Sequence, residues 1–175
     1  MYVKVFISKN QAEEKLAKKV RPLSKKRHII KAELLYLPCY VFSIEVESSK
    51  KGKPSEQVCI DGILGQFAFF KEAEITSAPF EQARHYDFEI SQAEAEKIAL
   101  AEYKTQLLKL SLKKKVNVVV SAIRFERKIY YPFWIGYFRR RDALDFDVID
   151  GQNAERQGAT MRPVFIKLLL QKKLL

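Results

Sequence analysis

The sequence predicts an α+β fold of two tandem repeats, each a helix packed on an antiparallel β-meander. Three features lead to this prediction, and each occurs in both halves of the chain in the same order. They are a strand-to-helix start with serine capping, a proline-centred aromatic strand and an Asp-Gly turn. The repeats are predicted to span residues 1–82 and 83–175. With 47% hydrophobic and 30% charged residues, the 175-residue chain has the composition of a globular protein.

Each half opens with a short alternating strand that leads into a helix. The stretch "VFIS" precedes the first helix and "FEIS" the second. Ser8 with Gln11, and Ser91 with Glu94, have the spacing of a capping box, in which the serine hydroxyl accepts a hydrogen bond from the third amide along. The same capping chemistry therefore begins both helices.

After each of these starts, the sequence predicts a helix and then a long extended stretch. The first helix is predicted over residues 9–20, because Arg21 and Pro22 end it. Extended stretches rich in β-branched and aromatic residues are predicted at 28–37 and 116–131. The second helix is predicted over residues 91–112, since one face is apolar at helical spacing. That face consists of Ala95, Ile98, Ala99, Tyr103, Leu107 and Leu110.

A hairpin is predicted in each half after the extended stretch. Residues 36–46 parallel residues 130–138, and Pro38 corresponds to Pro132. Each proline suits a strand start or a sheet edge, since it has no N–H for a central ladder. The hairpin loops, at 48–55 and 139–144, differ in length, as surface loops commonly do. The other matching pairs are Tyr40 with Trp134 and Val41 with Ile135.

An Asp-Gly pair marks the far end of each hairpin. Asp61, Gly62 and Gly65 fit the pattern Asp-small-x-x-Gly, and the chain here resembles the PepSY-like domains. Asp150 and Gly151 match only the first half of that pattern, because glutamate and arginine follow where glycine would be expected. Tandem helix-plus-meander units also resemble the beta-lactamase inhibitory proteins. The resemblance implies a non-enzymatic module that binds or inhibits a protein partner, without a cofactor.

The sequence offers no catalytic, cofactor-binding or metal-binding residues. Acidic residues gather at 142–150, but the EF-hand spacing fails, and alternation places Asp145 and Asp147 on the solvent face of a strand. Phosphate-binding glycine loops, zinc-protease motifs and nucleophile elbows are absent from the sequence. Only two histidines are present, and Cys39 and Cys59 are interpreted as buried free thiols. We therefore expect the protein not to be an enzyme.

The formal net charge of +11 is concentrated in the first and last thirds of the chain. Clustered cations are typical of polyanion binding, so a basic nucleic-acid-binding accessory protein is the alternative to a protein-interaction or regulatory module. The candidate contact residues for a partner or a polyanion are Lys25, Lys26, Arg27, Lys113, Lys114, Lys115, Arg139, Arg140 and Arg141.

The segment "YYPFWIGYFRRR", residues 130–141, allows two interpretations. A base-stacking sheet would have aromatic residues on one face only, but here both strand faces are aromatic. This favours a strand buried on both sides, with the three arginines exposed in the hairpin loop. Trp134 is expected to be buried between the sheet and the helix that begins at Ser91.

The last twelve residues, "VFIKLLLQKKLL", also allow two interpretations. They could form an amphipathic helix at a membrane surface, with Lys172 and Lys173 near headgroups. A final strand or helix docked on the core is favoured, because chain ends are often tied down in this way. Uncharged runs are too short to span a membrane and no signal-peptide stretch is present, so the cytoplasm is the expected compartment.

Overall fold

The computed structural model describes residues 1–18, 27–48, 55–71, 73–114 and 118–171. This part of the chain contains three helices and eight strands. The helices are α1 (Lys9–Ala17), α2 (Gln92–Lys114) and α3 (Arg162–Gln171). The strands are β1 (Tyr2–Val3), β2 (Ile29–Ser48), β3 (Ser55–Asp61), β4 (Phe67–Phe69), β5 (Ile75–Thr76), β6 (Arg84–His85), β7 (Val118–Arg140) and β8 (Ala143–Asp150).

The eight strands form one mixed sheet, in the order β4-β3-β2-β7-β1-β5. In addition, β6 pairs with β2 and β8 pairs with β7. The β1–β7 and β2–β6 pairs are parallel, whereas the β2–β3 and β7–β8 hairpins are antiparallel. The predicted fold of two tandem helix-plus-meander repeats is therefore wrong, because a single large sheet dominates the molecule.

The chain forms two compact units that do not follow a boundary at residue 82. The first unit consists of residues 1–37, 74–86 and 130–175. The second consists of residues 38–73 and 87–129. Each unit thus combines the helix from one half of the sequence with the hairpin from the other half.

In the first unit, α1 packs on the β7–β8 hairpin. Ala12 and Leu16 of the helix form a core cluster with Trp134 of β7 and Ile149 of β8. Helix α3 is docked in the same unit, with its Val164, Phe165 and Leu168 buried. This agrees with the favoured interpretation of the C-terminal segment as an element packed on the core; residues 172–175 lie outside the described part.

In the second unit, α2 packs on β3 and β4. Ala95, Ala99 and Tyr103 of the helix are buried against strand residues that include Phe42 and Ile60. Three members of the predicted apolar face are therefore buried in a core cluster formed with these strand residues. Ile98 and Leu107 pack against that cluster. Leu110 is 40% exposed, so the face covered by the sheet ends before the last turns of α2.

The predicted places of Pro38 and Pro132 are wrong, because both prolines lie inside continuous strands. In β2, residues 35–36 pair with β6, whereas residues 39–45 pair with β3. In β7, Tyr130 pairs with β1, whereas residues 133–140 pair with β8. Each proline thus lies where its strand exchanges one neighbour for another, a place that tolerates a residue without an N–H.

The two halves nevertheless share a pattern of hydrogen bonds. In the first unit, Gly151 N donates to Pro132 O at 2.9 Å, and Ile7 N donates to Gly151 O at 2.9 Å. In the second unit, Gly62 N donates to Pro38 O at 2.7 Å, and two amides, of Glu89 and Ile90, donate to Gly62 O. Glycine suits these places, since a Cβ on Gly151 would lie 2.9 Å from Pro132 O.

The predicted starts of both helices are confirmed. Ser8 forms a complete capping box with Gln11 at the start of α1. Ser91 Oγ accepts a hydrogen bond from Glu94 N at 3.2 Å at the start of α2. Helix α1 ends at Ala17, before the predicted end, and the Arg21-Pro22 pair lies outside the described residues.

No helix within the described ranges has both the length and the apolar character that crossing a lipid bilayer requires.

Candidate interaction surfaces

The three consecutive arginines lie at the tip of the β7–β8 hairpin and are exposed. Arg139 and Arg140 belong to β7, where they pair with Leu144 and Ala143, so their predicted place in a loop is wrong. Only Arg141 is in the two-residue turn, and its φ of 56° is a left-handed conformation. The hairpin is longer than predicted because its strands remain paired up to this tight turn.

The other predicted basic residues are not gathered into one site by the described structure. Arg27 is partly buried, forms an ion pair with Asp147 and lies 4.3 Å from the centre of the Phe138 ring. Its guanidinium is thus engaged within the fold. Lys113 is exposed near the end of α2. Three other predicted contact residues, Lys25, Lys26 and Lys115, lie outside the described residues, and so does the side chain of Lys114.

Asp147 shares its carboxylate with a second arginine that also caps α1. Arg156 Nη1 donates to Asp147 at 2.6 Å, and its Nη2 donates to the carbonyl oxygens of Lys15, Leu16 and Lys18. Lys15 O also accepts a hydrogen bond from the C-cap amide of Lys18 at 3.3 Å. The last carbonyls of a helix generally lack intrahelical partners and are stabilised by a cation. This contact has no local signal in the sequence, because Arg156 lies about 140 positions further along the chain.

The acidic residues of β8 accept hydrogen bonds from neighbouring groups of the fold. Asp145 accepts a hydrogen bond from Arg162 at 2.5 Å. Burial tends to raise the pKa of Asp145, but this bond and the nearby arginine charges lower it overall. Asp150 is buried and accepts from Gln152 N at 2.6 Å and from Tyr131 Oη at 2.9 Å, and burial raises its pKa. Within the described ranges, no cluster of three or more His, Cys, Asp or Glu side chains could hold a metal ion.

A largely buried carboxylate that the sequence patterns do not indicate lies in the first unit. Glu33 accepts hydrogen bonds from Tyr137, from Arg84 at 2.6 Å and from Lys31 at 2.9 Å. Burial tends to raise the pKa of Glu33, but the hydrogen bonds and cations lower it overall. Burial, followed by the hydrogen bond to Glu33, raises the pKa of Tyr137. Both carboxylate oxygens are bonded, and the cluster joins β2, β6 and β7.

A second apolar face on α2 lies opposite the face that packs on the sheet. Ala101, Thr105, Leu108 and Leu112 are spaced i, i+4, i+7 and i+11, which places them on one side of a helix. All four are exposed, and Leu108 and Leu112 have 61% and 75% of their surface in solvent. At 100° per residue, this side points away from Ala99 and Tyr103, which are buried. We call these four residues the outer stripe.

Basic side chains border the outer stripe. Lys104 lies on one side of it, and Lys109 and Lys113 lie on the other; all three are exposed. Glu102, which is acidic, lies on the same side as Lys109 and Lys113. An apolar stripe with a mainly basic rim fits a partner that has an apolar stripe and acidic flanks. The outer stripe is visible in the sequence, because Leu108 and Leu112 are four residues apart and lie outside the predicted core face.

No family model matches the chain, and comparisons with curated proteins and with solved structures find no significant similarity. The resemblance to PepSY-like domains stays a prediction, which these comparisons neither support nor refute.

Proposed function

We propose that the chain is a non-catalytic protein-binding module that recognises a helix through the outer stripe of α2. One observation supports this most strongly: Leu108 and Leu112 are exposed on a helix whose opposite face already packs on the sheet. Leucines on the solvent side of a packed helix do nothing for the core, and neighbouring exposed apolar side chains are typical of binding surfaces.

The partner proposed here is an amphipathic helix with acidic flanks. A helix that packs on another helix offers apolar residues at i, i+3, i+4 and i+7, which matches the spacing of the outer stripe. Acidic flanks would lie near Lys104, Lys109 and Lys113 and would set orientation and association rate rather than most of the affinity. The cytoplasmic location belongs to the same proposal.

The experiment is a nuclease-treated pull-down from the native host with three forms of the protein. Leu108→Gln with Leu112→Gln removes the apolar stripe, and Leu144→Gln is the matched control, since Leu144 is 67% exposed but lies on β8. We expect the wild type and the control to retain the same proteins and the double variant to lose them. Equal retention by the double variant would reject the outer stripe as the binding surface.

The second candidate is nucleic-acid binding, and the exposed arginine tip of the β7–β8 hairpin favours it. Arg140 has 78% of its side chain exposed, and its nearest carboxylate, that of Asp145, is 3.8 Å away. A guanidinium placed in this way can reach a phosphate without breaking a buried pair. Oligonucleotide binding that falls steeply with salt and disappears on nuclease treatment would favour this candidate over the first.

A further inference from the structure

The outer stripe of α2 is complementary to itself when two copies of the helix run in opposite directions. Its residues are arranged evenly about a point between positions 106 and 107, as the pairs Ala101 with Leu112 and Thr105 with Leu108. A twofold axis through that point, perpendicular to the helix, places each residue opposite its pair in the second copy. All four residues are exposed, so the stripe is open to such a contact.

The antiparallel pairing also matches side-chain size. Each of its four contact layers joins one smaller side chain to one leucine, so the two helices keep an even separation along the stripe. A parallel pair would place leucine on leucine at one end of the stripe and Ala101 on Ala101 at the other, which leaves a gap between the helices. The antiparallel arrangement therefore packs every layer at one helix separation.

Charged residues beside the stripe match in the same arrangement. Glu102, Lys109 and Lys113 lie on one side of it, and the twofold axis brings that side of one helix to the same side of the other. At about 1.5 Å per residue, Glu102 of one copy lies about 3 Å along the helix axis from both lysines of the second copy. The twofold axis creates two such sets, each a glutamate between two lysines. On the other side, Lys104 lies near Ser111 of the second copy.

We propose that the outer stripe pairs with that of a second copy of this chain to form an antiparallel, twofold-symmetric dimer. The inference rests on the proposed function in that it assigns a second occupant to the same binding surface, and the two occupants exclude each other. A partner with acidic flanks would also pair with Lys104, which the second copy meets with a serine, so the partner is the better-matched occupant. Small interfaces such as a single helix pair are typical of transient association, which suits a surface that a partner must reach.

Sedimentation velocity of the purified full chain, over about a hundredfold range of concentration, measures the pairing. We expect the wild type and the control Leu144→Gln to change from monomer to dimer as the concentration rises. Leu108→Gln with Leu112→Gln should remain monomeric. A wild type that is monomeric at every concentration, or a double variant that dimerises as tightly as the wild type, would overturn the proposal.

Charge reversal tests the antiparallel register. Glu102→Lys should weaken dimerisation about tenfold, because it places three lysines together in each set. Lys109→Glu with Lys113→Glu should weaken it similarly, because three carboxylates then lie together. An equimolar mixture of the two forms should associate as tightly as the wild type, since each set again combines opposite charges. The antiparallel pair brings position 102 beside positions 109 and 113, and a parallel pair does not, so a mixture no tighter than either form alone would contradict the proposal.

The dimer and the proposed function fail separately. A monomeric wild type whose double variant still loses its host proteins in the pull-down would overturn the dimer alone. A dimeric wild type whose double variant retains those proteins would overturn the proposed function alone and leave the outer stripe as a contact between copies of this chain.

Discussion

The indole N–H of Trp134 donates a hydrogen bond to the carbonyl oxygen of Ile7 at 2.8 Å. The second unit contains the counterpart, in which the hydroxyl of Tyr40 donates to the carbonyl oxygen of Ile90 at 2.8 Å. In each case an aromatic residue two positions after a proline holds the short segment that leads into a helix. The helix is thereby fixed on a hairpin from the other half of the sequence.

Replacement of Trp134 tests this arrangement. The ring is 3% exposed, so Trp134→Ala should lower the free energy of unfolding by about 3–5 kcal/mol. Trp134→Phe should cost less, because it removes the N–H donor but keeps much of the ring. Urea denaturation measures both values. Trp134 is the only tryptophan, so its fluorescence reports on this site, and a solvent-like emission maximum in the folded protein would contradict the burial.

The sequence predicted the burial of Trp134 but not the helix that covers it. The expected helix was the one beginning at Ser91, whereas the structure packs Trp134 against Ala12 and Leu16 of α1. Burial follows from the aromatic residues on both faces of the strand, which are a local property of the sequence. The choice of helix depends on how far β2 and β7 continue, whereas Pro38 and Pro132 predict a strand start or a sheet edge. Serine capping was also predictable, because the residues of a capping box lie within four positions of each other. The contact of Arg156 with α1 was not, because it joins positions about 140 residues apart.

The two Asp-Gly turns provide a matched pair of substitutions. Gly65 has a φ of 76° and Ala154 has a φ of 58° at the corresponding place, four residues after Asp61 and Asp150. Ala154→Gly should therefore stabilise the protein by roughly 1 kcal/mol, since a left-handed conformation costs a residue with a Cβ about 1–2 kcal/mol. Gly65→Ala should destabilise by more than that, because its Cβ would also lie 2.6 Å from Ile98 Cδ1.

Thermal denaturation of both turn variants provides the measurement. The expectation that Glu155 and Arg156 stand at the glycine position of the second turn is wrong, because the residue four positions after Asp150 is Ala154. Ala154 has the left-handed conformation that glycine has in the first turn. A destabilising effect of Ala154→Gly would contradict the left-handed conformation of residue 154. A neutral effect of Gly65→Ala would contradict that of residue 65.

The Glu33 cluster predicts a specific dependence of stability on pH. The folded-state pKa of Glu33 lies below its ordinary value of 4.5, so its contribution is present above pH 4.5 and is lost as pH falls through the lowered value. Glu33→Gln should cost about 1–3 kcal/mol at pH 7, because it weakens charge-assisted hydrogen bonds from Arg84 and Tyr137. The difference between wild type and variant should shrink below pH 4.5. Urea denaturation at several pH values measures this difference in the free energy of unfolding. A difference that grows on acidification would contradict the lowered pKa of Glu33.

The arginine tip should contribute little to stability. Arg139, Arg140 and Arg141 are exposed, and exposed charge substitutions usually change the free energy of unfolding by no more than about 0.5 kcal/mol each. Replacement of all three by glutamine should leave the melting temperature nearly unchanged. We expect weak oligonucleotide binding at physiological salt before and after this change. Micromolar binding that the triple variant abolishes, with a flatter salt dependence, would favour the nucleic-acid candidate.

The outer stripe of α2 is tested most directly by photo-crosslinking in the native host. A photoreactive amino acid replaces Thr105, which lies within the stripe, and a control form has it at Leu144 on β8. We predict a discrete protein adduct from position 105 that persists after nuclease treatment, is missing from position 144 and is lost when Leu108→Gln and Leu112→Gln are added. The same adducts from both positions, or no adduct from position 105, would contradict the proposal that this protein binds its partner through α2.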